Sequence, residues 1–290
     1  MSNPDQIQRV LFDNADIRCV VAGVEASFQE AMQRHGYPQV IQNVLGEMMA
    51  AVSLLSATLK FDGRLSLQAQ GNHAVKALMA ECTHQRDLRA IARFEGDLPE
   101  QADLKELIKD GQLVITIEPE GGKRYQGVVP LEGDHLSQCL EAYFSRSEQL
   151  PTQIHLAAGA EKAAGFLIQV MPVEGDREDQ WEHFSQLAAT LSDDELLNLD
   201  NETILRRLFH EEECRLYEPE LLRFNCDCSR ERTGHALQYL TQDELEEIIR
   251  EEGKIEVNCQ FCNENYQFDQ ADITQMFSAT ANVKPSDQVH

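Results

Sequence analysis

Two closely spaced pairs of cysteines near the C-terminal end constrain this chain more than any other feature of its sequence. One residue separates Cys226 from Cys228, two residues separate Cys259 from Cys262, and 30 residues lie between the pairs. Each pair can direct both sulfurs at one ion, and four thiolates in a tetrahedron form a closed structural zinc site with no open position for water or substrate. The sequence therefore predicts one zinc ion held by these four cysteines. It argues against zinc-dependent hydrolysis.

The same four sulfurs are suited to a redox switch. Zinc holds cysteines as thiolates, the oxidisable form, so an oxidant that reaches them can form disulfides and eject the ion. The small module around them would gain much of its folding free energy from the metal and would lose it with the metal. Once zinc has gone, the four sulfurs can pair in three ways, and the sequence alone does not choose between them.

Two other functions remain open from the residues alone. One is a zinc-stapled adaptor that binds a partner constitutively, without a switch. The other is a thiol-disulfide oxidoreductase, because Cys259-Gln-Phe-Cys262 is a C-x-x-C motif. That motif opens a helix in thioredoxin-like proteins, whereas here it follows the strand-like run Ile255–Val257 and leads to a second strand-like run. The position of the motif therefore argues against the oxidoreductase, and we expect no enzyme.

Charge and hydropathy exclude several classes of partner. The formal net charge is −25, and binding to phosphate backbones or anionic membranes needs clustered basic residues instead. The segment Met1 to Phe12 lacks the charged start and apolar run of a secretory signal, so we expect a cytoplasmic protein. The run Val40 to Leu59 is apolar, but five polar residues interrupt it, and we expect a buried core helix instead of a membrane span.

Residues 1–173 predict an N-terminal α+β domain with a mainly antiparallel sheet and packed helices. Helical spacing covers Glu25 to Gln33 and Val40 to Leu59, and strict alternation in Arg64–Gln70 predicts a strand with one buried face. Further predicted strands are Val75–Glu81, Leu88–Phe94, Leu113–Glu118, Arg124–Pro130, Gln153–Ala158 and Ala164–Met171, with helices at Asp103–Ile108 and Asp134–Phe144.

Residues 174–222 are predicted to form an acidic, metastable helical linker. This segment has 15 acidic and 4 basic residues. Its three predicted helices start near Trp181, Asp193 and Glu202, with Ser192 and Asp200 as N-caps of the last two. All three are too short to be stable without a partner surface. Their apolar positions form either a face that docks on the N-terminal domain or, after undocking, an exposed apolar surface: Trp181, Phe184, Leu187, Leu205, Leu208 and Phe209.

Residues 223–290 are predicted to form the C-terminal zinc module. Helical stretches at Glu231–Leu240 and Asp243–Glu251 lie between the cysteine pairs, and the strand-like runs Ile255–Val257 and Tyr266–Phe268 flank the second pair. We expect the last dozen residues to be a disordered tail.

The zinc module resembles that of a known family. The stretch Phe224-Asn-Cys-Asp-Cys-Ser-Arg-Glu-Arg232, followed by Cys259-Gln-Phe-Cys262, is similar to the heat shock protein 33 family of redox-regulated bacterial holdase chaperones. Four further stretches match in family order along nearly the whole chain: Leu59–Gly63, Arg124–Val128, Ser147–Thr152 and Leu208–Glu213.

This resemblance implies a specific mechanism. The reduced, zinc-bound monomer would be inactive, and oxidation would join Cys226 to Cys228 and Cys259 to Cys262 with release of zinc. The linker would then unfold and the protein would dimerise. Exposed apolar surface, to which Trp181, Phe184, Leu187, Leu205, Leu208 and Phe209 would contribute, would bind unfolding clients without ATP and protect the cell against oxidative and heat stress.

The four remaining cysteines are expected to lie outside the switch. Cys19, Cys82, Cys139 and Cys214 have no close partner in sequence and are expected to be small buried hydrophobic residues. Cys214 follows an acidic run, so we expect a raised thiol pKa there.

Overall fold

The structure is a computed structural model that describes residues 5–59, 62–100, 102, 104–109, 111–172 and 178–281. The chain forms two compact units, Met1–Asn225 and Cys226–His290. The helical linker expected at 174–222 is thus part of the first unit. The division between the units follows Asn225, three residues beyond the end predicted for that linker.

The first unit contains two six-stranded sheets. Its first ten elements in chain order are β1 (Gln6–Phe12), β2 (Ala15–Val24), α1 (Ala26–Gln33), α2 (Gln39–Thr58), β3 (Gly63–Gln70), β4 (Val75–Thr83), β5 (Asp87–Phe94), α3 (Leu104–Leu107), β6 (Gln112–Pro119) and β7 (Tyr125–Val129). They are followed by α4 (Leu136–Tyr143), a π-helical turn (Phe144–Glu148), β8 (Thr152–Ala158), β9 (Ala163–Val170), α5 (Glu178–Ala188), α6 (Asp193–Asn198), α7 (Asn201–Phe209), β10 (Cys214–Leu216), β11 (Glu220–Leu221) and β12 (Arg223–Phe224).

The two sheets are almost entirely antiparallel. The first has the order β10-β1-β2-β9-β8, with β11 also paired to β1. The second has the order β12-β5-β4-β3-β6-β7, in which, among the strands that the structure describes, only the short pair β12 and β5 is parallel. The expected α+β class with a mainly antiparallel sheet is confirmed.

Helix α2 lies in the core between the sheets. By length and composition it could cross a membrane, but most of it is buried inside the fold, as expected for a helix that is apolar all round. At Gly46 the helix closely approaches strands β8 and β9, because a Cβ atom there would lie 3.0 Å from the Cβ atoms of Ala158 and Ala163. A larger residue would push the helix off the sheet.

Strand β2 is buried on both faces, with consecutive buried residues at Cys19–Ala22. Its side chains alternate between two clusters. Val20 and Ala22 belong to the main core around α2, whereas Cys19 and Val21 belong to a second cluster on the opposite face of the first sheet. Something must therefore cover that second face.

The helices of the linker cover it. The buried face of α7 comprises Ile204, Leu205, Leu208 and Phe209, which is helical spacing, and all four pack in the second cluster with Phe184 of α5. Ser192 accepts a hydrogen bond from the backbone of Glu195, and Asp200 accepts one from Thr203. Both predicted N-caps are confirmed.

The second unit is small and has few buried side chains. It comprises α8 (Arg230–Leu237), α9 (Gln242–Glu252), the hairpin of β13 (Ile255–Asn258) and β14 (Asn265–Phe268), and α10 (Gln270–Ala281). Its buried apolar cluster is Leu237, Leu245, Ile255, Phe268 and Ile273. A core of this size supplies little stability by itself.

Several elements differ from the sequence-based expectations. Strand β1, the short strands β10 to β12 and helix α10 were not predicted, and α8 ends at Leu237 instead of Leu240. Strands of two or three residues are too short to display a period, and their pairing is set by tertiary contacts. The predicted boundary at 173–174 lies outside the described residues. The tail expected over the last dozen residues is wrong at 279–281, which end α10, and its remainder at 282–290 lies outside the described residues.

Candidate metal centre

The structure brings the four cysteines of the two sequence pairs together. Cys226 and Cys228 lie just before α8, and Cys259 and Cys262 lie in the turn between β13 and β14. All four sulfur atoms lie within 4.8 Å of one another. The Sγ atoms of Cys226 and Cys259 are 3.6 Å apart, and those of Cys228 and Cys262 are 3.3 Å apart.

Local backbone structure explains why the second pair converges. The backbone N–H of Cys259 donates to the carbonyl of Glu264 at 2.8 Å, and the N–H of Asn263 donates to the carbonyl of Cys259 at 2.8 Å. Asn263 adopts a positive φ of 59°, a conformation that asparagine tolerates better than most residues. This tight turn points both sulfurs to the same side of the hairpin.

The first pair is positioned by the start of α8. Ser229 caps the helix by accepting a hydrogen bond from the backbone N–H of Arg232. Thr233 donates from Oγ1 to the carbonyl of Ser229 at 2.9 Å. The cap therefore fixes the chain immediately after Cys228.

The donor set and its spacing fit a zinc ion. Four thiolates at a Zn–S distance of ~2.3 Å form a tetrahedron whose edges are about 3.8 Å. The two shortest sulfur separations, 3.3 and 3.6 Å, are slightly below that edge, and all six are within 4.8 Å. Thiolate ligands favour zinc over hard cations such as Mg²⁺ or Ca²⁺. The residues that would hold the ion are Cys226, Cys228, Cys259 and Cys262.

In the absence of a metal charge, the surroundings shift the pKa values of the cysteines in different directions. Burial, followed by hydrogen bonds with neighbouring thiols, raises the pKa of Cys226 and of Cys262. Burial would also raise the pKa of Cys259, but hydrogen bonds from the backbone of Cys262 and Phe261 and from neighbouring thiols outweigh it and lower that pKa. A bound cation would favour the thiolate form at all four positions.

One residue of the site was missed by the sequence analysis. The hydroxyl oxygen of Tyr266, on β14, lies 3.1 Å from the Sγ atom of Cys228. This hydrogen bond raises the pKa of the tyrosine, with burial as a further cause. The sequence signal that could have identified this residue is a tyrosine on β14, four residues after Cys262.

Residues of helix α10 and strand β14 contact the start of α8, next to the first cysteine pair. The guanidinium of Arg230 lies 4.7 Å from the ring centre of Phe268 and pairs with Asp272 at 2.6 Å. Phe268 is in turn fully buried in the small apolar cluster. These contacts join the start of α8 to the hairpin, so both cysteine pairs belong to one packed unit.

The predicted client-binding residues lie in the first unit, on the docked linker. Phe184, Leu205, Leu208 and Phe209 are buried, whereas Trp181 and Leu187 are partly buried at the edge of the same cluster. Their docked arrangement matches the first of the two alternatives given for this face. Client binding by these residues stays a prediction.

The expectation for the remaining cysteines is wrong at one position. Cys19, Cys82 and Cys139 are buried, but Cys214 is exposed, because it lies on β10 at the outer edge of the first sheet. The pKa of Cys214 is raised, as expected. The causes are desolvation and the nearby charge of Asp13, not the preceding glutamate run.

Comparisons with known proteins agree along the whole chain. The sequence profile of the family described as Hsp33 protein matches residues 5–269. A 33 kDa chaperonin from Shewanella woodyi is 48% identical over 276 residues, which cover 95% of this chain and 96% of that protein. A 33 kDa chaperonin from Pseudomonas aeruginosa (strain LESB58) is 46% identical over 297 residues, with both chains fully covered.

A solved structure also shares the fold. The crystal structure of a 33 kDa chaperonin (heat shock protein 33 homolog) from Thermotoga maritima superposes with a TM-score of 0.84 over 97% of this chain and 100% of that one, at 24% sequence identity. The match of the family profile, the two relatives and the cluster of four cysteines lead to the same assignment: this chain belongs to the Hsp33 family of chaperones.

Proposed function

We propose that this protein is a redox-regulated, ATP-independent holdase that is inactive while reduced and bound to zinc. The observation that carries the proposal is the convergence of four thiols within 4.8 Å in a unit whose apolar cluster, among the described residues, has five buried side chains. Loss of the metal would remove most of the stability of such a unit. The family assignment supports the chaperone class.

The switch chemistry uses the four cysteines and a peroxide. In each pair, one thiolate attacks a peroxide oxygen and becomes a sulfenic acid with release of water, and the second thiolate displaces a second water to form the disulfide. Each disulfide thus consumes one peroxide and two protons. By family resemblance we assign the disulfides to Cys226–Cys228 and Cys259–Cys262. With all four sulfurs in disulfides, Cys226, Cys228, Cys259 and Cys262 would have no thiolate left to hold a zinc ion.

The linker at residues 174–222 transmits the switch to the client-binding surface. In the reduced protein its apolar side chains are packed on the first sheet. Its helices have 11, 6 and 9 residues, and helices this short do not persist without the surface that they dock on. Unfolding of the linker exposes Trp181, Phe184, Leu187, Leu205, Leu208 and Phe209 for unfolding clients.

The proposal also assigns the protein's functional regions, its oligomeric state and its partners. The functional division is a chaperone core at 1–173, the linker at 174–222 and the zinc switch at 223–290. The reduced protein is a cytoplasmic monomer and the oxidised protein is a homodimer. Its partners are unfolded or partly unfolded proteins, with no nucleic acid and no membrane. No catalytic residue is required, since binding prevents aggregation without turnover.

A light-scattering assay tests this function. A thermally unfolding client is mixed with the full-length chain, either reduced and zinc-loaded or treated with peroxide and mild warming. We expect the treated form alone to suppress aggregation. Equal suppression by both forms would contradict the switch and favour a constitutive zinc-stapled adaptor.

A pair of cysteine variants adds the matched control. Cys226→Ser removes one of the four ligands, whereas Cys214→Ser replaces an exposed cysteine outside the cluster. The first variant should lose peroxide dependence, and the second should behave like the wild-type protein. The same response of both variants would show that the cluster is not the sensor.

A further inference from the structure

A cavity in the first unit is lined by none of the four clustered cysteines and by no residue of the linker. It lies at the C-terminal end of α2, beside β3, β6, β7 and the π-helical turn, and has a volume of about 250 Å³. Most of its wall is apolar, including Leu55, Leu65, Ile115, Ile117 and Phe144. Apolar pockets that contain a few convergent polar groups are the usual form of small-ligand sites.

Arg18 places a cation in this apolar wall. Its side chain projects from β2 on the core side of the first sheet and is half-buried. The Nη1 atom donates to the carbonyl of Thr58 at 3.1 Å, and Nε and Nη2 both donate to Oε1 of Gln169. Burial lowers the pKa of Arg18, which is the behaviour of a charge whose lost hydration is incompletely replaced.

Arg18 keeps capacity for an anion. A guanidinium has five N–H groups, and the bonds to Thr58 and Gln169 use three of them. Within the described part of the chain, no carboxylate forms an ion pair with Arg18. Arginine binds carboxylates more strongly than it binds neutral acceptors, because both partners are charged and the two N–H groups can engage both oxygens.

At the opposite end of the cavity, the polar side chains form hydrogen bonds with one another. The hydroxyls of Tyr125 and Tyr143 lie 2.9 Å apart, and both donate to Oε1 of Glu148, at 3.3 and 3.0 Å. Glu148 ends the π-helical turn, a distortion that is often found at functional sites. Because this end carries a carboxylate, an anionic group in the cavity is directed to Arg18.

Three sequence stretches that the switch does not use meet at this cavity. Leu59 begins the stretch Leu59–Gly63, Tyr125 lies in Arg124–Val128, and Glu148 and Leu150 lie in Ser147–Thr152; all four residues line the cavity. At Gly127 a Cβ atom would lie 2.4 Å from the hydroxyl of Tyr143. Strand β7 therefore needs glycine there to approach the tyrosine closely.

We propose that this cavity binds a small apolar monocarboxylate, with the acid group on Arg18 and the apolar body against the leucine and isoleucine side chains. The volume lies just below the ~300–1,000 Å³ of pockets for drug-sized ligands. A short unbranched fatty acid is therefore a suitable probe. This site is independent of the metal centre.

Calorimetric titration of the full-length, reduced protein with octanoate tests the proposal, and octanol serves as the uncharged analogue. We expect saturable binding of octanoate that weakens about tenfold or more in Arg18→Gln, since a charged hydrogen-bond pair is lost. Octanol should bind both proteins equally. Arg146→Gln is the control, because Arg146 is exposed on the same turn and pairs with Glu132 at 2.6 Å without lining the cavity.

A second variant keeps the test decisive if Arg18→Gln does not fold. Ile117→Trp retains the cation but fills the cavity, so it should abolish binding of both octanoate and octanol. The proposal is wrong if wild-type protein shows no saturable octanoate binding, if a folded Arg18→Gln binds octanoate as tightly as wild type, or if a folded Ile117→Trp still binds it.

Discussion

The ring of Phe12 on β1 lies 4.4 Å, centre to centre, from the ring of Phe184 on α5. Phe12 also contacts Phe209 of α7, with the ring centres 4.9 Å apart. One side chain of the sheet thus holds the first and the last helix of the linker. Aromatic pairs with tilted or edge-to-face rings add stability beyond their buried area.

Replacing Phe209 with alanine should undock the linker. Truncation of a buried phenylalanine lowers the free energy of unfolding by about 3–5 kcal/mol, and here the loss falls on the contact between α7 and the first sheet. We expect faster hydrogen exchange across residues 178–209 and suppression of client aggregation without peroxide. Hydrogen exchange and light scattering on the reduced protein measure the two effects.

Leu199→Ala is the matched control for this variant, because Leu199 lies in the same segment but is exposed. It should change neither readout. Slow hydrogen exchange in Phe209→Ala, equal to that of the wild-type protein, would show that the aromatic contact does not hold the linker.

Replacing Tyr266 with phenylalanine should speed oxidation of the metal centre. The tyrosine hydroxyl stabilises the sulfur of Cys228 through a hydrogen bond of 3.1 Å, and a thiolate that accepts a hydrogen bond is a weaker nucleophile. Loss of a bond worth about 0.5–1.5 kcal/mol corresponds to a rate increase of roughly 2–10-fold. Zinc release is followed with a chromogenic chelator during peroxide treatment.

Tyr239→Phe provides the comparison, since Tyr239 is 95% exposed in the same unit. Its zinc release should match the wild-type rate. If Tyr266→Phe also releases zinc at the wild-type rate, the hydroxyl does not protect the sulfur.

The folded protein should lose stability as the pH rises through neutrality. Burial, with the charge of Asp193 on α6 as a second cause, raises the pKa of Glu47 on α2 to about 7. The folded state therefore binds more protons than the unfolded state, and the contribution of Glu47 to stability is lost as the pH rises from about 4.5 through about 7. Between pH 6 and 8 this amounts to about 1 kcal/mol.

The Glu47→Gln variant isolates this effect, because glutamine does not titrate. Urea unfolding of both proteins at pH 6 and pH 8 gives the difference. The wild-type protein should lose about 1 kcal/mol more than the variant over this range. Parallel losses in the two proteins would rule out Glu47 as the titrating group.

Removing a metal ligand should unfold the second unit selectively. In Cys226→Ser the ion loses one of four thiolates, and its binding free energy is coupled to folding of the unit. We expect loss of ordered amide signals for residues 226–281 by NMR, with the core around α2 unchanged. Chelation of the wild-type protein should give the same spectrum, and a fully folded second unit in both samples would contradict the coupling.

Local patterns predicted most of the fold. Strand β3 alternates apolar and polar residues, helix α2 is a long apolar run, and the caps Ser192 and Asp200 mark the starts of α6 and α7. The pairing of β10 and β11 with β1 was not predictable, because two or three residues carry no period and the partner is about 200 residues away. Docking of the linker was predicted only as one of two alternatives.

The metal centre was predictable in composition but not in detail. Spacing alone identified the four cysteines, since few other functions need two such pairs. The contact of Tyr266 with Cys228 depends on the register of the β13–β14 hairpin, which no motif specifies. Exposure of Cys214 depends on its position on an edge strand, β10. The three residues of that strand show no pattern that predicts where it pairs.

Zinc content and free-thiol count, measured in parallel before and after peroxide treatment with mild warming, test the central claim most directly. The chain has eight cysteines, four of which form the cluster. The account predicts one zinc ion and eight thiols in the reduced protein, and no zinc and four thiols after oxidation. A reduced protein without metal, or one that keeps its zinc and all of its thiols through the treatment, would contradict it.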